Sequence, residues 1–292
     1  MDGKRIAAIA GDLACAESMK SLKDLYTSLG SPNIDCRQDG AKLDASSRGA
    51  YLFNTTIAGI EEADAILLVG TDPRKEAPIV NARILKRAKQ GGLKVGVIGP
   101  RTDLTYEYEY IGAGPQSLKE LGSFGDVLKN ASRPMIVVGQ GALSRKDGAA
   151  VLAEALSLAR SIGAISGEWN GFNVLHTAAA RVAGLDLGLV PGEGGRDVEG
   201  ILEGASSGEI DLVHLLGADE IDMNRLGKAF VIYQGTHGDA GAHRADVILP
   251  GAAYTEKDAT WVNTEGRVQL GRRAVFPPGS AREDWAILRA LS

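Results

Sequence analysis

The residues that could do redox or metal chemistry are few and scattered. Cys15 and Cys36 are the only cysteines in 292 residues. They make no CxxC pair, and an iron–sulfur cluster needs about four thiolates, so no cluster is expected on this chain. The histidines are His176, His214, His237 and His243. They form neither HxxxH nor HExxH, so no short metal-ligand spacing exists. Nucleophilic catalysis lacks its parts as well, because there is no GxSxG elbow. Thr236-His237-Gly238-Asp239 sets an imidazole near a carboxylate without an evident nucleophile, and reads as a turn with a solvated histidine. Glu61-Glu62 and Asp219-Glu220 read as charge at helix or loop edges rather than as acid–base pairs.

Two loops have the makings of a ligand site. Gly139-Gln140-Gly141-Ala142-Leu143-Ser144 approaches GxGxxG between a strand and a helix, where backbone N–H groups can cradle pyrophosphate. Ser144 replaces the third glycine, and no acidic residue closes a second strand about 20 residues on. A tight turn with an ordinary helix cap is therefore preferred. Gly70-Thr71-Asp72-Pro73-Arg74 follows another strand, at the carboxyl end where open α/β sheets bind ligands. Asp72 and Arg74 either read a polar ligand or pair with each other in solvent, and the residues alone leave both open. The polar stretch Thr255 to Gln269 follows a strand stopped by Pro250-Gly251 and suggests a ligand or interface loop.

These loops need a scaffold, and the hydrophobic periodicity supplies one. Residues 5–10 read as a strand and 16–29 as a helix, with Met19, Leu22, Tyr26 and Leu29 on one face and Gly30 as its stop. Residues 31–56 read as a long polar loop. A strand at 63–70, a helix from Pro78 to about Lys89 stopped by Gly91-Gly92, and a strand at Lys94–Ile98 make a β-α-β unit. The pattern restarts with a strand at 134–139. Ser144 and Asp147 suggest a capping box for a helix near 146–162. Helices are expected near 172–183 and 196–206, and strands at 212–216, 229–233 and 247–249. Residues 115–133 are the candidate crossing between subdomains. The alternation argues for a doubly wound α/β architecture.

Composition bounds the partners. The chain is 44% hydrophobic and 24% charged, enough to bury a sizeable core. A net charge of −5 with no basic block argues against nucleic-acid binding. The apolar runs fall far short of the ~20 residues that span a bilayer. The run before Asp12 reads as a buried strand rather than a signal peptide. Two unpaired cysteines suit a reduced, cytoplasmic compartment.

Specific runs then carry a resemblance. Ala245-Asp246-Val247-Ile248-Leu249-Pro250, followed by Glu256-Lys257, Ala259 to Arg267 and Gln269, resembles a signature of the molybdopterin oxidoreductase family. Ile66 to Val80 resembles that family's second nucleotide-fold signature. The runs Asn54–Pro78, Asp103–Tyr106, Tyr233–Ala242, Ala245–Lys257 and Pro277–Trp285 resemble one branch more closely. That branch is the large iron–sulfur subunit of respiratory complex I, the proton-translocating NADH:quinone oxidoreductase, of alphaproteobacterial and mitochondrial type. The likeness covers almost the whole sequence.

The resemblance implies an α/β fold of the type found in domains 1–3 of formate dehydrogenase and DMSO reductase. Two nucleotide-fold lobes with mostly parallel sheets are expected, one inserted in the other. The inserted lobe would be 55–130, the enclosing lobe 1–54 with 131–276, and 277–292 a C-terminal helix or tail. The resemblance implies that the iron–sulfur clusters lie in a cysteine-rich region upstream, and that Met1-Asp2-Gly3 is a cloned start. The implied function is a scaffold supporting electron transfer from NADH to quinone. Its partners would be other hydrophilic-arm subunits, peripheral on the cytoplasmic side of the inner membrane or the matrix side of a mitochondrion, with no transmembrane segment of its own. The alternatives are a catalytic molybdopterin-dependent oxidoreductase domain and a free NAD-binding protein.

Departures from the family pattern bear on the cofactor. Molybdenum-containing relatives ligate the metal with Cys, selenocysteine or Ser from a loop that resembles Gly30–Ala41, and the ligand position falls on or near Ala41, beside Gly40. The acidic-Pro-Arg guanine-binding motif resembles Gly99-Pro100-Arg101, without its acid. Asp72 replaces the Asn of an Asn-Pro loop. The expectation is a lost pterin site, with no catalytic, cofactor-binding or metal-ligating residue on the chain. The other reading is that a different ligand occupies the cleft.

Overall fold

The computed structural model describes residues 2–292. In chain order the strands are β1 (Ile6–Ala10), β2 (Asn33–Asp35), β3 (Ala65–Val69), β4 (Lys94–Ile98), β5 (Glu109–Gly112), β6 (Pro134–Val138), β7 (Ile165–Ser166), β8 (Trp169–Asn170), β9 (Phe172–Val174), β10 (Leu212–Leu216), β11 (Phe230–Gly235), β12 (Val247–Pro250), β13 (Ala259–Val262) and β14 (Val268–Gly271). The helices are α1 (Ala16–Ser28), α2 (Thr56–Gly59), α3 (Pro73–Glu76), α4 (Pro78–Lys89), α5 (Ser123–Asn130), α6 (Gln140–Leu143), α7 (Gly148–Ser161), α8 (Arg181–Asp186), α9 (Val198–Ser207), α10 (Ala240–Arg244) and α11 (Asp284–Leu291). None is long and apolar enough to cross a membrane among the described residues.

One compact unit gathers the chain up to Gly40, Ala178–Asn263 and Arg267–Ser292. Its five-stranded sheet has the order β12-β11-β10-β1-β2, and every pairing is parallel. The middle strands are mainly apolar because both faces are covered, as parallel sheets require, with His214 and Gln234 as buried polar exceptions. On one side Ile9, Val213, Leu215 and Val231 pack against Ile201, Leu202 and Ala205 of α9. Met19, Leu22 and Tyr26 form the buried stripe of α1, and Gly30 stops the helix with φ +72°. The expected loop at 31–56 contains β2, a strand too short and polar to announce itself. Asn33 makes it possible by donating Nδ2 to the Lys4 and Ile6 carbonyls at 3.0 and 3.1 Å.

The second unit spans Ala41–Thr177 with Thr264–Gly266. Its sheet, β5-β4-β3-β6-β9, is also parallel throughout. The unit is wider than the 55–130 span expected from sequence. The reason is pairing: β6 runs beside β3 from Ala65↔Pro134 to Val69↔Val138, and β9 adds onto β6. Residues 115–133 therefore lie inside this unit and do not cross out of it. The helix expected at 172–183 is instead β9, with Phe172 and Val174 fully buried, and α8 begins only at Arg181. The capping box also fails. Asp147 makes no cap bond, because its carboxylate takes the Arg145 fork at 2.6 and 2.9 Å.

One buried residue gives a pH signature. His214 of β10 is 1% exposed, with Tyr26 edge-on at 5.8 Å between ring centroids. Burial pushes its imidazole down to about 4 from the ordinary 6.5. The unfolded chain then binds the extra proton between those values. The stabilisation from a neutral His214 is full above pH 6.5 and is lost as the pH falls toward 4, by up to about 3 kcal/mol. Urea unfolding at several pH values should show this slope in the wild type. His214→Gln should flatten it, and an unchanged slope would assign the titration elsewhere.

Candidate functional site

In the second unit a cavity of about 280 Å³ opens at the carboxyl ends of β3 and β4. Its walls include Gly70, Asp72, Gly99, Pro100, Gly141 and Arg145. Three stretches singled out from sequence thus meet in one place. Gly70 has φ +60°, and a Cβ there would lie 2.6 Å from the Ala142 nitrogen, so only glycine lets α6 approach. Of the 139–144 run, residues 140–143 close into the single-turn α6, and Gln140 donates Nε2 to the Leu175 carbonyl at 2.8 Å. The run is thus a packed turn at the cavity wall.

Asp72 and Arg74 part company. Asp72 Oδ2 accepts from Thr102 Oγ1 at 2.7 Å, whereas Arg74 bonds Asp103. The pairing of the two with each other, one of the readings left open by the sequence, is not formed. Asp72 Oδ1 and the Tyr106 hydroxyl are both buried without a partner. Burial, and then the Asp72 charge, pushes the Tyr106 phenol up. Thr71 Oγ1 donates to Glu76 Oε2 at 2.6 Å and stiffens the loop.

The first unit has its own cavity of about 340 Å³ at the ends of β10 and β11, where Asp219, Tyr233, Asp239 and Lys257 meet. Asp239 caps α10 through the Ala242 N–H at 3.3 Å and accepts from the Tyr233 hydroxyl at 2.6 Å. Burial first, and Asp239 second, raise the Asp219 carboxyl. His237 is exposed and shares a 2.8 Å hydrogen bond between Nδ1 and Thr236 Oγ1. The Thr236–Asp239 segment is thus a turn and a helix cap. Sequence reasoning missed the buried ion pair at this cavity, Lys257 Nζ to Asp284 Oδ2 at 2.6 Å. The 256–257 position in the family signature was the available hint.

The residues do not fit a molybdenum–pterin group. Ala41 offers a buried methyl where a ligand atom is needed. Cys36, the nearest thiol in sequence, is pushed up to about 12 by burial and by Asp35, and a metal ligand must be a thiolate. Gly99-Pro100 brings no carboxylate to the cavity wall, and the Arg101 guanidinium stacks 3.8 Å over the Tyr110 ring. Among the described residues no group of three or more His, Cys, Asp or Glu could hold a metal ion.

Comparison with known proteins places these observations. The chain matches the molybdopterin oxidoreductase family over residues 1–292. It is 46% identical over 294 residues to the mitochondrial NADH dehydrogenase (ubiquinone) iron–sulfur protein 1 of Solanum tuberosum, covering 99% of this chain and 38% of that protein. It is 42% identical over 293 residues to an NADH-quinone oxidoreductase subunit of Rickettsia bellii, covering 99% of this chain and 41% of that one. It therefore spans about two fifths of the length of these curated relatives. Among solved structures, the formyltransferase/hydrolase complex FhcABCD of Methylorubrum extorquens with methylofuran superposes with TM-score 0.71 at 20% identity, over 98% of this chain and 90% of that chain. Acetylene hydratase from Pelobacter acetylenicus superposes with TM-score 0.67 at 12% identity, over 99% and 55%. These two likenesses bear on the fold alone.

Proposed function

Because the chain belongs to the molybdopterin oxidoreductase family, we propose that it serves as a cofactor-free scaffold within the large iron–sulfur subunit of an NADH:quinone oxidoreductase. The observation that carries this reading is the combination of 42–46% identity to such subunits with a donor set unfit for the family's metal. In this reading the chain holds no catalytic residue. Iron–sulfur clusters sit elsewhere in the same subunit, and this part keeps them within electron-transfer distance. It presents its surface to other hydrophilic-arm subunits on the cytoplasmic or matrix side of the membrane. The two glycine-lined crevices are retained because the sheets need those turns to pack, not because a nucleotide fills them.

Native purification tests this. The protein should be drawn from detergent-solubilised membranes through a tag on this chain, and assayed for iron, molybdenum, pterin fluorescence and NADH:quinone reductase activity. Iron and the activity should co-purify, with molybdenum and pterin at background. Stoichiometric molybdenum and pterin, without NADH oxidation, would instead establish a catalytic molybdopterin domain.

A further inference from the structure

The loops leaving β1 and β2 bring Asp12, Gln38 and Asp39 together with Arg181, the first residue of α8. Arg181 is 1% exposed. Its Nη2 donates to Asp39 Oδ1 at 2.8 Å, but stands 3.7 Å from Asp12 Oδ1, too far for a direct hydrogen bond. Gln38 faces Asp12 and extends its amide Nε2 toward Glu220 Oε2 at 3.4 Å. Three buried atoms in this nest have no partner: Asp12 Oδ1, Gln38 Oε1 and Arg181 Nε. Buried polar atoms are nearly always satisfied, by ordered water where protein does not reach.

The three orphans are two acceptors and one N–H donor. A water molecule is their complement, because it donates twice and accepts from the third. A metal cation is a poor occupant, since it would have to share the nest with the Arg181 guanidinium charge. An anion would meet the Asp12 and Asp39 carboxylates. A gap of 3.7 Å between charged partners is also where a bridging water is expected. We propose that one buried water donates to Asp12 Oδ1 and Gln38 Oε1 and accepts from Arg181 Nε, and that Arg181, held in this way, is the built-in cation at the carboxyl edge of the sheet.

The position gives the proposal its meaning. In open α/β sheets the carboxyl edge is where an outside ligand binds. At β1 and β2 that edge is taken by the chain's own guanidinium. Burial raises the Asp12 carboxyl, and the Arg181 charge opposes that rise. The assignment rests on this unit's own geometry and stands whether or not the scaffold reading does.

Chemical rescue tests it. Arg181→Ala should lower the thermal midpoint of the 292-residue chain by about 10 °C, and low-millimolar methylguanidinium should restore much of that loss. Methylammonium should not, and neither ion should shift the wild type. Equal rescue by both ions, or by neither, overturns the guanidinium role. If Arg181→Ala does not fold, Arg181→Lys takes its place. Lysine keeps the charge but lacks the planar fork, so its midpoint should fall, and restoration of the wild-type midpoint by lysine alone overturns the role too. A high-resolution crystal structure of the wild type should show one water peak within hydrogen-bond reach of all three atoms. A metal ion there, or direct pairing among the three, refutes the water.

Discussion

Asp284→Ala is expected to cost the fold about 3–5 kcal/mol, because it strands an ammonium group in the core. Lys257 and Asp284 are both almost fully buried. Asp284 Oδ2 accepts from Lys257 Nζ at 2.6 Å, and Oδ1 accepts from Gln234 Nε2 at 3.0 Å. Gln234 also reaches the Asp284 carbonyl at 3.1 Å, so one residue ties the start of α11 to β11. Removing the carboxylate leaves the Lys257 charge unsatisfied, while Gln234 keeps only its bond to the Asp284 carbonyl. Replacing both ends of the pair, as Lys257→Met with Asp284→Leu, should recover most of the loss, since two apolar groups leave no charge behind. Urea unfolding of the four members of this cycle gives the coupling directly. A single-mutant loss below about 1 kcal/mol would mean that water reaches the ammonium group.

Gly70→Ala is expected to destabilise by about 2–4 kcal/mol, summing a left-handed backbone and a steric clash. The φ of +60° penalises any side chain, and the new methyl would meet the Ala142 nitrogen and Cβ, both at 2.6 Å. Gly91→Ala separates the two effects. Gly91 has φ +79° but nothing within 4 Å of the added carbon, so its cost should stay near ~1 kcal/mol. Thermal unfolding of the two variants side by side measures the difference. Equal losses would show that α6 yields without resistance.

The long apolar strands were legible because burial on both faces leaves continuous hydrophobic runs, as in β1, β3 and β6. The short strands were not. β2 is Asn33-Ile34-Asp35, and its polar side chains are buried only because backbone carbonyls and Arg37 take them up. That compensation is invisible in a hydrophobicity pattern. β9 was hidden by the alanines at 178–180, which lend the stretch a helical cast. The reach of the second unit depended on β6 choosing β3 as neighbour, a choice between distant segments that local propensity does not encode. The glycine-rich turns of the site were readable from their types. Its ionic pairs were not, since Asp39 and Arg181 lie 142 residues apart and Lys257 and Asp284 lie 27 apart.

The three-part make-up of the first unit also sets the order in which the molecule can be built. Its strand β1 precedes its partner β10, which starts at Leu212, by the whole sheet of the other unit, and Arg5 finds Asp211 across 206 residues of chain. The sheet of the other unit needs only residues 65–174. Closing a loop costs entropy that grows with its length, and non-local parallel pairing is slow. The intervening segment therefore folds first and shortens the loop that β1 must close. Until Leu216 has been synthesised, the five apolar residues of β1 lack their β10 partner and have only the three-residue β2 beside them, which is the kind of exposed edge that aggregates.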